Sequence, residues 1–243
     1  FAAATVHDVF NWIAVLVLFP LELRTGYLAK SASLMAGWFQ GVGGMKLGNP
    51  LKASTKVVVN AVSDLFNHQP IIVLIVSVAI TFGMLYLIVK LLRSLVLEKV
   101  EGLFNQHIFR NAGRAMVFGF VLTVAVQSSS ITTSLIIPLA GAGIVRLIQV
   151  LPYTLGANVG TTTTAILAAL ATKDLSAITV AFAHLLFNLS GILMIWPIPR
   201  VREIPVKIAE WLADMSLKNR AIPIAFILIL FFGLPFLFIF LFR

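Results

Sequence analysis

Two clusters of neutral, oxygen-bearing side chains stand inside otherwise apolar sequence. Residues 117 to 126 are largely apolar; then come Gln127, Ser128, Ser129 and Ser130, followed by Thr132, Thr133 and Ser134 before apolar residues resume towards Pro138. The second cluster reads Tyr153, Thr154, Leu155, then Gly156, Ala157, Asn158, Val159 and Gly160, then four threonines, Thr161 to Thr164. Hydroxyls donate and accept, so such side chains can hold an oxyanion or a small hard cation without formal charge. A helix end strengthens either role. Its N-terminus presents free N–H groups and about half a positive charge to an anion, and carbonyls at a C-terminus or in unwound backbone offer oxygen ligands to sodium. Arg146 is the only charged residue from 115 to 172. An oxyanion there must be held by dipoles, with bound cations balancing its charge, because either ion alone is costly in a low-dielectric site.

Both clusters require interrupted helices. The charge-free run 115 to 145 is long for one membrane crossing and short for two, which predicts a re-entrant hairpin with 127 to 130 at its tip. Two glycines flanking Asn158 predict unwound backbone within 147 to 172, a broken helix whose second half opens on the threonines.

Composition places these elements in a bilayer. The chain has 18 Lys and Arg and 9 Asp and Glu, and is 60% hydrophobic; soluble domains carry about a quarter charged residues. No charge occurs in 65 to 89, 115 to 145, 147 to 172, 175 to 199 or 221 to 242. Each run can supply the ~20 apolar residues that cross a core roughly 30 Å thick, and all are too long for barrel strands. A shorter apolar run, 9 to 21, ends in Pro20 and Glu22 and needs its flanks to span.

The net charge of +9 is patterned as positive-inside loops, which argues against a nucleic-acid partner. Lys90, Arg93, Lys99, Arg110 and Arg114 lie together between spans, as do Arg200, Arg202, Lys207, Lys218 and Arg220. With Glu98, Glu101, Glu203, Glu210 and Asp214 interspersed, these stretches predict amphipathic helices on the cytoplasmic surface, 93–114 and 200–220. Segment 30–69, with four lysines and Gly41, Gly43, Gly44, Gly48 and Pro50, reads as an irregular extracellular loop. The absence of cysteine excludes disulfides and thiolate metal sites. A multi-pass protein of the plasma (cell inner) membrane is expected.

His7, Phe10, Asn11 and Pro20 recur, each at an offset of 177, as His184, Phe187, Asn188 and Pro197. A repeat in register across apolar helices is the mark of duplicated transporter halves, commonly inverted, with substrate near the midplane where they meet. The first copy enters at its final helix, so the chain is expected to be the back half of a two-repeat protein. The expected layout is 1–29 as the last helix of the first repeat, then loop 30–69, then a second repeat over 70–243. That repeat comprises span 70–92, surface helix 93–114, hairpin 115–145, broken helix 147–172, span 175–199, surface helix 200–220 and span 221–242.

Single residues carry blander meanings. A lone Ser or Thr in a membrane helix usually bonds back to a carbonyl one turn earlier. His7 with Asn11, and His184 with Asn188, are spaced for interhelical hydrogen bonding, with proton sensing the lesser alternative. Asp8, which has Leu185 as its counterpart, reads as a helix-end residue. Ala140, Gly141, Ala142 and Gly143 suit close backbone approach, and Trp12, Trp38, Trp196 and Trp211 suit interface anchoring.

The strings VQSSSITTSLIIPLAGAGI (126 to 144), YTLGANVGTTTTAILAAL (153 to 170), HLLFNLSGIL (184 to 193) and ATVHDVFNW (4 to 12) resemble the type II sodium-dependent phosphate cotransporters. The resemblance covers nearly all of the chain outside the loop. It implies an all-α integral membrane protein, the second half of an inverted-repeat secondary transporter with a re-entrant helical hairpin and a broken transmembrane helix. It implies sodium-coupled symport of inorganic phosphate, with sodium as co-substrate and no other cofactor. Ser128, Ser129 and Ser130 are then expected to bind phosphate, and Gln127, Asn158, Thr161 and Thr164 to coordinate sodium. Ala157 stands where members of the family often have Ser, which removes one hydroxyl ligand. The first QSSS hairpin is missing from this sequence, so a first repeat, in the same protein or a companion chain, is an expected partner. A homodimer is a further possibility.

Two other classes would use the same residues. A dipole-lined anion channel needs a continuous pore and no sodium. An intramembrane serine hydrolase would pair one of Ser128 to Ser130 with His184, but no glycine-framed nucleophile and no base-orienting acid is evident. The expectation is a carrier and not an enzyme.

Overall fold

The computed structural model describes residues 1–39, 50–67, 69–95, 108–172 and 174–241. Among them every regular element is helical. Helix α1 (Ala2–Thr25) has 24 residues, about 36 Å at 1.5 Å per residue. The flanks of the short apolar run therefore do complete a membrane-length helix, with Pro20 inside it. α1 stops at Gly26, whose φ of 62° is a conformation that a residue without Cβ adopts freely. The chain turns at once into α2 (Tyr27–Gly37). The Glu22 carboxylate accepts from the amides of Leu28 (2.7 Å) and Ala29 (3.1 Å). It thus caps α2 from the preceding helix.

The expected irregular loop is helical where it is described. Most of α2 and all of α3 (Pro50–Leu65) fall within it, while the glycine-rich residues 41 to 48 lie outside the described residues. Helicity over 30 to 37 is reinforced by packing: Ala32 and Ala36 are fully buried against a cluster containing Ala169, Leu170, Ile178 and Phe182.

Helix α4 (Pro70–Leu95) follows. Most of the expected surface helix 93–114 falls on 96 to 107, outside the described residues. Its last three residues belong instead to α5 (Ala112–Val126), because the Asn111 side chain accepts the Arg114 amide at 2.8 Å and so starts a new helix there. α5 pairs with α6 (Ser129–Gly141) as a helical hairpin. Then come α7 (Leu147–Thr172), α8 (Leu175–Ile195), capped by Asp174, and the amphipathic α9 (Pro199–Lys218). The last helical stretch is α10 (Ala221–Leu228), a π-helical turn (Ile229–Gly233) and α11 (Leu234–Leu241).

α7 is the axis of the bundle. It packs against α5, α8, α6 and α1, and every residue from Val150 to Asn158 is buried. A helix enclosed on all sides is apolar all round. The expectation of a broken helix at 147–172 is overturned, because α7 runs unbroken through Gly156 to Gly160. The two glycines serve contact rather than unwinding. A methyl group at Gly156 would collide with the Met116 carbonyl, and one at Gly119 of α5 with the Tyr153 carbonyl. At Gly160 it would come within 2.7 Å of the Thr123 Cβ. Gly156 and Gly160 are thus a small-xxx-small face that lets two backbones touch.

The main core joins Val6 and Phe10 of α1, Ile136 of α6, Leu151 and Leu155 of α7 and Val206 of α9. Leu16, Leu23, Leu74, Val180, Leu193, Ile224 and Phe240 stand exposed on α1, α4, α8, α10 and α11. An apolar exterior this extensive is the surface of a membrane protein. Among the described residues, α1 and α8 are the helices long and apolar enough to cross a bilayer on their own.

Candidate functional site

The hairpin break is made by two residues. Gln127 adopts φ 55°, ψ 29°, and its amide donates to the Thr123 carbonyl at 2.6 Å, closing α5. A residue other than glycine in that left-handed region carries strain of about 1–2 kcal/mol. Ser128 is extended, at φ −151° and ψ 110°, and its hydroxyl accepts the Ile131 amide at 3.4 Å, opening α6. The carbonyl end of α5 and the amide end of α6 therefore lie side by side. The first N–H groups of a helix and the last C=O groups have no intrahelical partner. Amides at Ser129 and Ser130 with the three serine hydroxyls form a donor group suited to an oxyanion. The terminal carbonyls of α5 and the Gln127 carboxamide suit a hard cation.

Beyond the break, the Thr132 and Thr133 hydroxyls donate back to the Ser128 and Ser129 carbonyls at 3.0 and 2.8 Å. The opening of α6 is fixed from outside by Tyr153, fully buried on α7, whose hydroxyl donates to the Thr132 carbonyl at 2.8 Å. The Phe109 and Phe118 rings flank it, each 6.0 Å away.

Asn158 is the centre of a polar network between helices. His7 Nε2 lies 2.7 Å from Asn158 Oδ1, and Asn158 Nδ2 donates to Asn11 Oδ1 at 3.0 Å. His7 Nδ1 lies 3.2 Å from Asp8 Oδ1, and Asn11 Nδ2 lies 3.1 Å from His7 Nε2. Asn188 of α8 donates to the Asn158 carbonyl at 3.5 Å. His7 and Asn11 thus make the interhelical bonds expected of them. Asp8 faces its neighbour His7 inside α1, not a helix end. His184 departs from its expected role: it is exposed beside Ala165, Ala168 and Val180 and bonds to no described residue.

The four threonines are mid-helix. Their amides are consumed by the unbroken helix, so they do not form an anion-binding N-terminus. Thr161 donates to the Ala157 carbonyl at 2.9 Å and Thr164 to the Thr161 carbonyl at 2.8 Å; Thr162 and Thr163 both donate to the Val159 carbonyl. Each hydroxyl oxygen keeps lone pairs for a cation. Ala157 is fully buried and contributes its carbonyl alone.

Sequence reasoning missed Tyr153 as the support of the hairpin tip, and it missed Thr123. The Thr123 hydroxyl is buried and has no hydrogen-bond partner among the described residues. It sits one turn before Gln127, against Gly160. The signal for Tyr153 was its place at the head of the second motif; Thr123 offered none, being a lone hydroxyl in an apolar run.

The chain is an all-helical membrane protein in which a hydroxyl-bearing helical hairpin packs on one enclosed helix. Residues 80–194 match the Na+/Pi-cotransporter family, and nearly the whole chain is similar to sodium-dependent phosphate transport proteins. It is 34% identical to sodium-dependent phosphate transport protein 2A of Rattus norvegicus, covering 97% of this chain and 48% of that protein. It is 33% identical to the 2A protein of Ovis aries, covering 97% and 49%. It is 30% identical to the 2B protein of Bos taurus, covering 97% and 47%. The chain thus spans about half the length of the curated relatives it matches. No solved structure matches it.

Proposed function

We propose that the complete protein carries inorganic phosphate across the plasma (cell inner) membrane together with sodium. This chain supplies the second of two inverted repeats, and the first completes the site from the same protein or a companion chain. One observation carries the proposal: the interruption at Gln127 and Ser128 sets the amide start of one helix beside the carbonyl end of another, within the residues that match the Na+/Pi-cotransporter family.

Phosphate is bound by Ser128, Ser129 and Ser130. Sodium is coordinated by Gln127 with Asn158, Thr161 and Thr164, and it offsets the phosphate charge where hydration is lost. Asn158 Oδ1 keeps a second lone pair beside its contact with His7, so it can serve a cation without leaving the network. The hairpin is re-entrant, with its tip at membrane depth, and the amphipathic α9 lies on the cytoplasmic surface. The protein is a carrier and not an enzyme, and sodium is its co-substrate.

Labelled phosphate uptake by the full-length protein in vesicles tests the proposal. Uptake is expected to saturate with phosphate and to vanish when sodium is replaced by choline. Ser128→Ala should raise the phosphate KM, and Gln127→Ala should raise the sodium concentration required. Non-saturating flux without sodium would mean a channel, and unchanged uptake in both variants would remove the residue roles.

A further inference from the structure

The N-terminal ends of α5 and α7 meet at the end of the hairpin away from Ser128. The 15 residues of α5 put about 22 Å between that end and the tip. A cavity of about 200 Å³ lies there, lined by Arg110, Arg146, Arg202, Asn111, Gln149 and Trp196 among others. It is smaller than the roughly 300–1,000 Å³ pockets that take drug-sized ligands.

The backbone segments that carry Arg110 and Arg146 are tied together. The Arg146 amide donates to Gln149 Oε1 at 2.9 Å, and Gln149 Nε2 donates to the Phe109 carbonyl at 2.9 Å. One carboxamide therefore ties the segment carrying Arg110 to the segment carrying Arg146. The Arg202 guanidinium stacks on the Trp196 ring, 5.2 Å from its centroid, a pose that leaves its N–H edge free to bond. Among the described residues no carboxylate lines the cavity. Glu203, the acid next to Arg202, is engaged by Lys207 at 2.9 Å.

Three like charges around one small cavity repel each other, and because Arg110 and Arg146 are exposed the repulsion is partly screened by water and salt. A bound anion removes it, and guanidinium forks match phosphate oxygens in pairs. Two helix N-termini at the same place add their partial positive charge. From this we infer that the cavity is a second anion site, separate from the serine hairpin, which takes a phosphate group. That group is the phosphomonoester of an anionic lipid headgroup or free inorganic phosphate. Basic pockets between membrane helices are sites of the first kind. The inference rests on these side chains and the membrane setting, not on phosphate being the cargo.

The test uses the full-length protein in detergent, with phenylglyoxal modification of each arginine followed by peptide mass spectrometry. Parallel samples contain chloride alone, inorganic phosphate, short-chain phosphatidylinositol bisphosphate or short-chain phosphatidylcholine. Charge-assisted bonds to an arginine predict modification of Arg146 slowed about tenfold, with Arg220, exposed and not among the cavity-lining residues, unaffected. Protection by the bisphosphate lipid alone assigns a headgroup site. Protection by inorganic phosphate assigns a free-anion site, and its persistence in Ser128→Ala separates it from the hairpin. Arg146→Lys should keep protection at Arg110 and Arg202, and Arg146→Gln should weaken it. Equal rates in every sample, equal protection at Arg220, or protection by phosphatidylcholine would overturn the inference.

Discussion

Asn158 Oδ1 lies 2.7 Å from Nε2 of His7, 151 residues earlier in the chain. This contact joins the enclosed helix α7 to α1, and the Asn158 amide group completes it through Asn11. The 2.7 Å contact requires the ring to donate from Nε2, because Asn158 Oδ1 only accepts. With a hydrogen on Nε2 the ring donates to Asn158 Oδ1, and only with Nε2 bare can it accept from Asn11 Nδ2.

Removing Asn158 leaves both partners unsatisfied in a half-buried place. Asn158→Ala is therefore expected to cost about 1–3 kcal/mol, a fall of roughly 2–4 °C in melting temperature per kcal/mol for a chain of this size. His7→Gln, which keeps a donor near Asn158 Oδ1, should lose less. Thermal unfolding followed by tryptophan fluorescence in detergent measures both. Equal melting temperatures in wild type and Asn158→Ala would mean that the network carries no stability.

Gln127 combines a strained backbone with a candidate ligand, and glycine separates the two. Gln127→Gly accepts a φ of 55° without the roughly 1 kcal/mol left-handed cost. Its melting temperature should hold or rise while its sodium requirement for phosphate uptake increases. Unaltered sodium dependence would show that the carboxamide is not a ligand and that the break alone matters.

Gly156 faces the Met116 carbonyl with no room for a methyl group. Gly156→Ala forces α5 and α7 apart, and overpacking of this kind costs about 1–3 kcal/mol. The variant should fold in lower yield and melt earlier. Gly141→Ala, where a Cβ meets nothing, should match wild type. A normal melting temperature for Gly156→Ala would contradict the backbone contact.

Lys207 holds the Glu203 carboxyl below its ordinary range, chiefly by hydrogen bonding and then by charge, with Arg202 adding to the effect. A lowered folded-state value means that the pair adds stability above the ordinary carboxylate range and loses it as pH falls through the lowered value. The melting temperatures of wild type and Lys207→Ala should differ slightly at neutral pH and converge in acid. Since both side chains are largely exposed, the difference should also shrink with salt. A gap that widens towards acid would reverse the sign.

The order of residues by itself determined that the chain is helical and apolar enough for a bilayer. It also placed the hairpin break, because Gln-Ser-Ser-Ser interrupts 31 charge-free residues with groups that cap helices better than they continue them. It did not determine what Gly156 and Gly160 do. A glycine pair serves unwinding and close packing equally well in sequence, and only the partner helix carrying Gly119 decides between them. The pairing of Asn158 with His7, the support of the hairpin tip by Tyr153 and the gathering of Arg110, Arg146 and Arg202 were likewise decided by the tertiary fold. Helical periodicity is local information, whereas contacts between residues far apart in sequence depend on how the helices cross, and packing alone sets that crossing.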